Sequence, residues 1–190
     1  MVIADASGKG MPAALMVAQL QAMLRSEVGN SRDISHILFN VNTQVAESTA
    51  SENYATLFYG EFDPETCSFH YANAGHNHPI LVRADGTHEF LDIGGLIIGA
   101  FARMEYKHET VRLNDNDLIF FFTDGLSEAM NEQDQEYGEK RIREYVIDNR
   151  HRHPEEIMNG ILDDVREFDK TDPPRDDTTV IVIKVCPREI

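Results

Sequence analysis

The run Leu118-Ile119-Phe120-Phe121-Phe122 constrains the fold more than any other feature of this sequence. Successive side chains of a strand point to opposite faces of its sheet, so five consecutive apolar residues require both faces to be buried. The run therefore predicts a central strand with a neighbour on each side, and not an edge strand.

Short β-type segments fill the middle of the chain. Their β-branched and aromatic residues are bounded by turn residues, at 63–66 and 85–86 for example, that are typical of hairpins. Neighbouring strands are therefore expected to run antiparallel. Strands are predicted at residues 1–4, 55–63, 68–73, 80–83, 88–91, 105–113, 117–123 and 178–185.

Helical periodicity lies on either side of that region. It predicts helices over residues 13–28, 33–47, 139–148 and 154–168, and the second of these can be capped by Ser31 or Asp33. A strand, two helices, a run of strands, two helices and a last strand favour an α+β fold over a doubly wound one. With 190 residues and 42% hydrophobic content, residues 1–190 are expected to form one domain.

The charge balance excludes some classes of partner. The chain has 33 acidic and 17 basic residues, a formal net charge of −16, so its field repels phosphate backbones and anionic lipid heads. We expect no nucleic-acid and no membrane partner. The only cysteines, Cys67 and Cys186, form no CxxC pattern, which argues against a disulfide framework or thiolate zinc site and favours the cytoplasm.

Aspartates at the ends of predicted strands are the main candidates for chemistry. Asp5, Asp124 and the Asp176-Asp177 pair each lie at such an end, beside turn residues. Taken singly, each is better explained as a helix or turn cap. Taken together, carboxylates held at rigid strand ends could form a group of oxygen ligands, and their mutual repulsion would favour a bound cation.

Four motifs, in this order along the chain, resemble the metal-dependent PPM (type 2C) protein phosphatases, and in particular the bacterial SpoIIE/RsbU-like branch. The resemblance covers essentially the whole chain. It implies an αββα sandwich of two mainly antiparallel sheets flanked by helix pairs. The motifs are ADASGKGMPAA at residues 4–14, YANAGHN at 71–77, FTDGLSEA at 122–129 and RDDTTV at 175–180.

The resemblance also implies a metal site. Asp5 would bridge two Mn²⁺ or Mg²⁺ ions, and the carbonyl of Ala6 would bind one of them. Asp124 and Asp176 would complete the protein ligands, with Asp177 as the alternative to Asp176. The implied nucleophile is metal-bound water, which agrees with the lack of a Ser-His-Asp or Cys-Arg motif in the sequence.

The implied function is hydrolysis of phosphoserine or phosphothreonine on a regulatory protein, of the STAS anti-anti-sigma type by resemblance. One alternative is a catalytically silent module that keeps the fold and a partner surface. A third reading is a metal-dependent hydrolase of a small phosphate ester. Three carboxylate positions at strand ends favour an enzyme, because a pure binding module has little need of them.

The family carries an acidic motif of GGD type upstream of the Asp5 strand, and the sequence given begins after it. The expectation is a fragment that lacks the first strands and one metal-associated carboxylate. An apolar strand at residues 1–5 would then lie at a sheet edge. This predicts either pairing with a second copy, as a homodimer, or a displaced N-terminus, with incomplete metal occupancy.

Two further features have alternative readings. Lys9, in Gly8-Lys9-Gly10, lacks the spacing of a nucleotide-binding loop, so it either contacts a substrate phosphate or is a solvated lysine. Several histidines fall in one β region without a zinc-binding pattern. Among them, His76 is expected to be a packing or hydrogen-bonding residue of the loop at 73–77.

Overall fold

The structure is a computed structural model that describes residues 1–48, 53–170 and 176–187. Arg175 of the fourth motif lies outside the described residues. In chain order the elements are β1 (Val2–Ala6), α1 (Met11–Asn30), α2 (Ile34–Ser48), β2 (Ala55–Asp63), β3 (Ser68–Ala74), β4 (Ile80–Val82), β5 (His88–Phe90), β6 (Gly94–Gly95), β7 (Glu109–Arg112), β8 (Leu118–Phe122), α3 (Asp124–Ser127), α4 (Gly138–Asn149), α5 (Pro154–Asp169) and β9 (Val180–Lys184).

The predicted helices and strands are present, with shifted ends, and the α+β class is confirmed. Two short elements were not predicted, β6 and α3, and β7 is shorter than the predicted strand at 105–113. The two glycines of β6 carry no side-chain pattern. They can pair with β3 because they have no side chains. A Cβ on Gly94 would lie 1.7 Å from the carbonyl oxygen of Asn73, so only glycine allows this approach.

The chain divides into two compact units, residues 1–76 with 92–112, and residues 77–91 with 113–190. The first unit contains a mainly antiparallel sheet in the order β1-β2-β3-β6, with β7 also paired to β3. The second contains an antiparallel sheet in the order β5-β4-β8-β9. The expectation of one domain over residues 1–190 stays a prediction.

In the first unit, α1 and α2 pack on one face of the sheet. Asp33 caps α2, because its Oδ1 accepts from the N–H of Ser35 at 2.9 Å. The apolar stripes of α1 and α2 join residues of β2 and β3 in one core: Met16, Leu20, Leu24, Ile37, Leu38, Val41, Val45, Leu57, Tyr59, Ala72 and Ala74.

None of the helices in the described ranges is long and apolar enough to span a membrane.

Strand β1 is part of this sheet and is not displaced. It pairs antiparallel with β2 along its whole length, from Val2 opposite Tyr59 to Ala6 opposite Ala55. The amino group of Met1 extends the pairing by donating to the carbonyl of Gly60 at 2.6 Å. Among the described residues only β2 pairs with β1, so β1 is an edge strand.

In the second unit, β8 is the central strand that the apolar run predicts. All five of its residues are buried, and β4 and β9 pair with it on either side. One face of β8 packs on α4 and α5. This core includes Phe120, Phe122, Ile142, Val146, Ile157, Ile161 and Val165.

One carboxylate beside β8 has a structural role. Asp117 is only 2% exposed, and its oxygens accept from the guanidinium of Arg83 at 2.8 Å and from the N–H of Asn114 at 2.9 Å. Because a buried charge is tolerated when it is paired and hydrogen-bonded, these contacts account for Asp117 without a ligand.

Candidate functional site

Two of the predicted carboxylate positions meet at one end of the second sheet. Asp124 follows β8, and Asp176 and Asp177 precede β9. The N–H of Thr123 donates to the carbonyl of Thr179 at 3.1 Å, and the N–H of Thr179 donates to Oγ1 of Thr123 at 2.9 Å. These bonds extend the β8–β9 pairing and hold the third and fourth motifs against each other.

Gly125 lets these two segments approach closely. A Cβ at this position would lie 2.3 Å from the main-chain oxygen of Asp177, far inside ordinary contact distance. The short helix α3 begins at Asp124, whose carbonyl accepts from the N–H of Glu128 at 2.7 Å. The main chain around Asp124 is thus fixed on both sides, by the turn of α3 and by the loop before β9.

Negative charge accumulates at this end of the second unit. The pKa of Glu128 is raised above its ordinary range, first by burial and then by the charges of Asp124, Glu136 and Asp176. Such a field attracts a cation. Glu128 was not predicted as a site residue. The only signal for it in the sequence is its place in the motif at 122–129.

In the first unit, Asp5 and Ala6 are the last two residues of β1. Asp5 is exposed and lies directly opposite Thr56 of β2, while Ala6 lies opposite Ala55. The chain leaves the strand through Ser7, whose N–H donates to the carbonyl of Tyr54 at 2.8 Å. The carbonyl that the resemblance assigns to a metal therefore belongs to the last residue of a paired strand.

Lys9 lies in the loop between β1 and α1. The glycines on either side of it have positive φ angles, 89° at Gly8 and 75° at Gly10, which residues with a Cβ rarely adopt. Lys9 is exposed, and Pro12 follows in the first turn of α1. Lys9 therefore lies in an exposed loop, two residues before the first residue of α1.

The second motif contains a turn, fixed by the buried Asn73 and His76, that contacts Thr56 of β2. The side chain of Asn73 accepts from the N–H of His76 at 2.7 Å and donates to the His76 carbonyl at 3.0 Å. Nδ1 of His76 lies 2.9 Å from Oγ1 of Thr56, the residue opposite Asp5. His76 is 2% exposed, so its predicted role in packing and hydrogen bonding is confirmed.

The candidate residues thus fall in both units. Asp5, Ala6 and Lys9 belong to the first, and Asp124 with the Asp176-Asp177 pair belongs to the second. Among residues 1–48, 53–170 and 176–187, no three His, Cys, Asp or Glu side chains are arranged to hold a metal ion. The candidate ligand atoms are carboxylate and carbonyl oxygens, the type of ligand that Mg²⁺ and Mn²⁺ prefer. Their convergence on one site stays a prediction.

Comparison with known proteins identifies the family. A family model described as Stage II sporulation protein E (SpoIIE) matches residues 1–186, almost the whole chain. The chain belongs to the SpoIIE family. Phosphoserine phosphatase RsbU of Bacillus subtilis (strain 168) is 28% identical to this SpoIIE-family chain over 186 residues. That match covers 96% of the chain and 54% of RsbU, so the chain spans about half the length of this relative.

Solved structures share the fold of this SpoIIE-family chain. The SiaA-PP2C domain of Pseudomonas aeruginosa matches with a TM-score of 0.82 and 22% identity, over 96% of this chain and 74% of that one. The PP2C phosphatase domain of Bacillus subtilis SpoIIE, with a fragment of its regulatory domain, matches with a TM-score of 0.77 and 18% identity, over 97% and 53%. Another structure of the SpoIIE phosphatase domain was presoaked with manganese. The fold is that of PP2C phosphatase domains.

Proposed function

We propose that this chain is a metal-dependent protein serine/threonine phosphatase. The observation that carries the proposal is the close approach of the Asp124-Gly125 turn to Asp177 at one end of β8 and β9, which only glycine at position 125 permits. Membership of the SpoIIE family and the likeness to phosphoserine phosphatase RsbU support the same activity.

The proposed metal ligands are Asp5, the carbonyl of Ala6, Asp124 and Asp176, holding two Mn²⁺ or Mg²⁺ ions. Asp177 is the alternative to Asp176 as the ligand in the fourth motif. The likeness to a SpoIIE domain presoaked with manganese also supports divalent metal binding. When bound at these residues, the ions would activate water and neutralise the phosphoryl oxygens.

The residues of the chain itself would bind and orient the substrate. Lys9, on its glycine-flanked loop, would contact the phosphoryl oxygens, and the nearby N-terminus of α1 would favour the same negative charge. In the reaction the water oxygen forms a bond to phosphorus and the bond to the seryl or threonyl oxygen breaks. The leaving oxygen receives a proton, so the products are the free hydroxyl and inorganic phosphate.

The proposed substrate is a phosphorylated regulatory protein of the STAS type in the cytoplasm, where dephosphorylation would act in partner switching. This substrate class follows from the resemblance to the SpoIIE/RsbU-like branch, and the match to RsbU supports it. The net charge of −16 is consistent with a protein substrate rather than a nucleic acid.

The test is phosphate release from a STAS-domain protein phosphorylated on serine. A parallel assay with an excess of EDTA is the control for metal dependence. We expect release with Mn²⁺ or Mg²⁺ and none with EDTA. Binding of the phosphoprotein without release would favour the catalytically silent module. Release from p-nitrophenyl phosphate alone would favour a hydrolase of small phosphate esters.

We also propose that the chain forms a homodimer through β1. Among the described residues this strand is paired with β2 only, and Val2 is 39% exposed. An open edge with an apolar side chain is a ready partner for a second copy. Light scattering is expected to give twice the mass of one chain at high concentration, and a monomer at every concentration would contradict the proposal.

A further inference from the structure

Thr56 is the cross-strand neighbour of Asp5. The two residues lie directly opposite each other in the antiparallel pair of β1 and β2, so their side chains share one face of the sheet. Cβ atoms of such a pair are about 4.5–5.5 Å apart, within reach of a hydroxyl–carboxylate hydrogen bond. Thr56 is half-buried and Asp5 is exposed, so the pair lies at the margin of the covered surface.

His76 forms a hydrogen bond with the hydroxyl of Thr56. Its Nδ1 lies 2.9 Å from Oγ1 of Thr56, and its main chain is fixed by the two hydrogen bonds to the side chain of Asn73. The turn before it is equally constrained. Gly75 has a φ of +71°, and a Cβ there would lie 2.4 Å from the side chain of Ile97. The main chain that carries the imidazole is therefore constrained on both sides.

The single proton of the Thr56 hydroxyl restricts the directions that these hydrogen bonds can take. The Thr56 hydroxyl has one proton, and a carboxylate can only accept. If the hydroxyl donates to Asp5, the bond from His76 must be donated by Nδ1–H, because Nδ1 and Oγ1 cannot both be acceptors. This direction makes a chain of donors that runs from the buried imidazole through the hydroxyl to the carboxylate.

We propose that Thr56 and His76 are positioning residues for Asp5: Nδ1–H of His76 turns the Thr56 hydroxyl so that it donates to the Asp5 carboxylate and fixes its orientation. The inference rests on the proposed function, in which Asp5 is a metal ligand. Hydrogen bonds to ligating carboxylates tune metal sites, and their loss typically weakens metal affinity by about 10–100-fold.

The test compares Mn²⁺ affinity, by isothermal titration calorimetry, in Thr56→Val and Thr56→Ser. Valine keeps the shape and removes the hydroxyl, whereas serine keeps the hydroxyl. We expect about 10-fold weaker binding in Thr56→Val and recovery in Thr56→Ser. Thr110→Val is the matched control, because Thr110 makes the same kind of bond, 2.7 Å to Nδ1 of His70, elsewhere on the sheet. It should bind Mn²⁺ as the wild type does.

Nitrogen-15 NMR of the imidazole gives a readout that does not depend on metal. We expect a proton on Nδ1 of His76, and an unprotonated Nδ1 would overturn the inference. So would Thr56→Val with wild-type affinity, or Thr56→Ser as weak as Thr56→Val. If Asp5→Asn abolishes binding in those cases, the proposed function stands. A wild type that does not bind Mn²⁺, or Asp5→Asn with unchanged binding, would overturn both.

Discussion

Asp124→Asn is expected to lower Mn²⁺-dependent phosphatase activity by about 10²–10³-fold, the range seen when one fixed electrostatic contact to a reacting group is lost. Asparagine has nearly the same shape as aspartate but removes the charge that would hold the cation. The fold should persist, because the bond from the N–H of Glu128 is accepted by the main-chain carbonyl of residue 124. The measurement is kcat/KM on the phosphoprotein over a range of Mn²⁺ concentrations.

Asp163→Asn is the control for this variant. Asp163 is an exposed carboxylate of α5 that pairs with Arg166 at 3.0 Å, and exposed pairs of this kind contribute little. The activity of Asp163→Asn should equal that of the wild type.

In Asp124→Asn the pKa of Glu128, followed by NMR without metal, should fall, because one of the charges that raise it is removed. A full turnover rate in Asp124→Asn would exclude Asp124 as a required ligand.

Much of the fold could be predicted from local pattern. The five apolar residues of β8 require a strand covered on both faces, and the periodic stripe on α5 requires one buried face. The pairing of β6 with β3 could not be predicted, because Gly94 and Gly95 have no side chains to form a pattern. Their strand exists only because the main chain of Asn73 comes close to them.

The candidate site could be predicted in part. The motifs identify Asp5, Asp124 and Asp176 as individual residues, but not their neighbours in space. The position of Thr56 opposite Asp5 depends on the register between strands separated by two helices, and that register is set by the packing of the whole sheet. The raised pKa of Glu128 likewise depends on burial and on nearby charges, of which that of Asp176 is distant in sequence.

Gly125→Ala is expected to separate the third motif from the fourth. The added Cβ would lie 2.3 Å from the main-chain oxygen of Asp177. Main-chain atoms cannot move aside as easily as the end of a flexible side chain. The overlap should lower the free energy of unfolding by about 1–3 kcal/mol, as overpacking does.

The same change should weaken catalysis more than stability alone would explain. If the loop before β9 shifts to relieve the overlap, Asp176 moves away from Asp124, so both Mn²⁺ affinity and kcat should fall even at temperatures where the variant is fully folded. Urea denaturation, calorimetric titration with Mn²⁺ and phosphate release separate these effects. Gly29→Ala is the control, since a Cβ on this residue of α1 meets nothing within 4 Å and alanine favours a helix. A Gly125→Ala protein that keeps wild-type stability and Mn²⁺ affinity would show that this close approach does not organise the site.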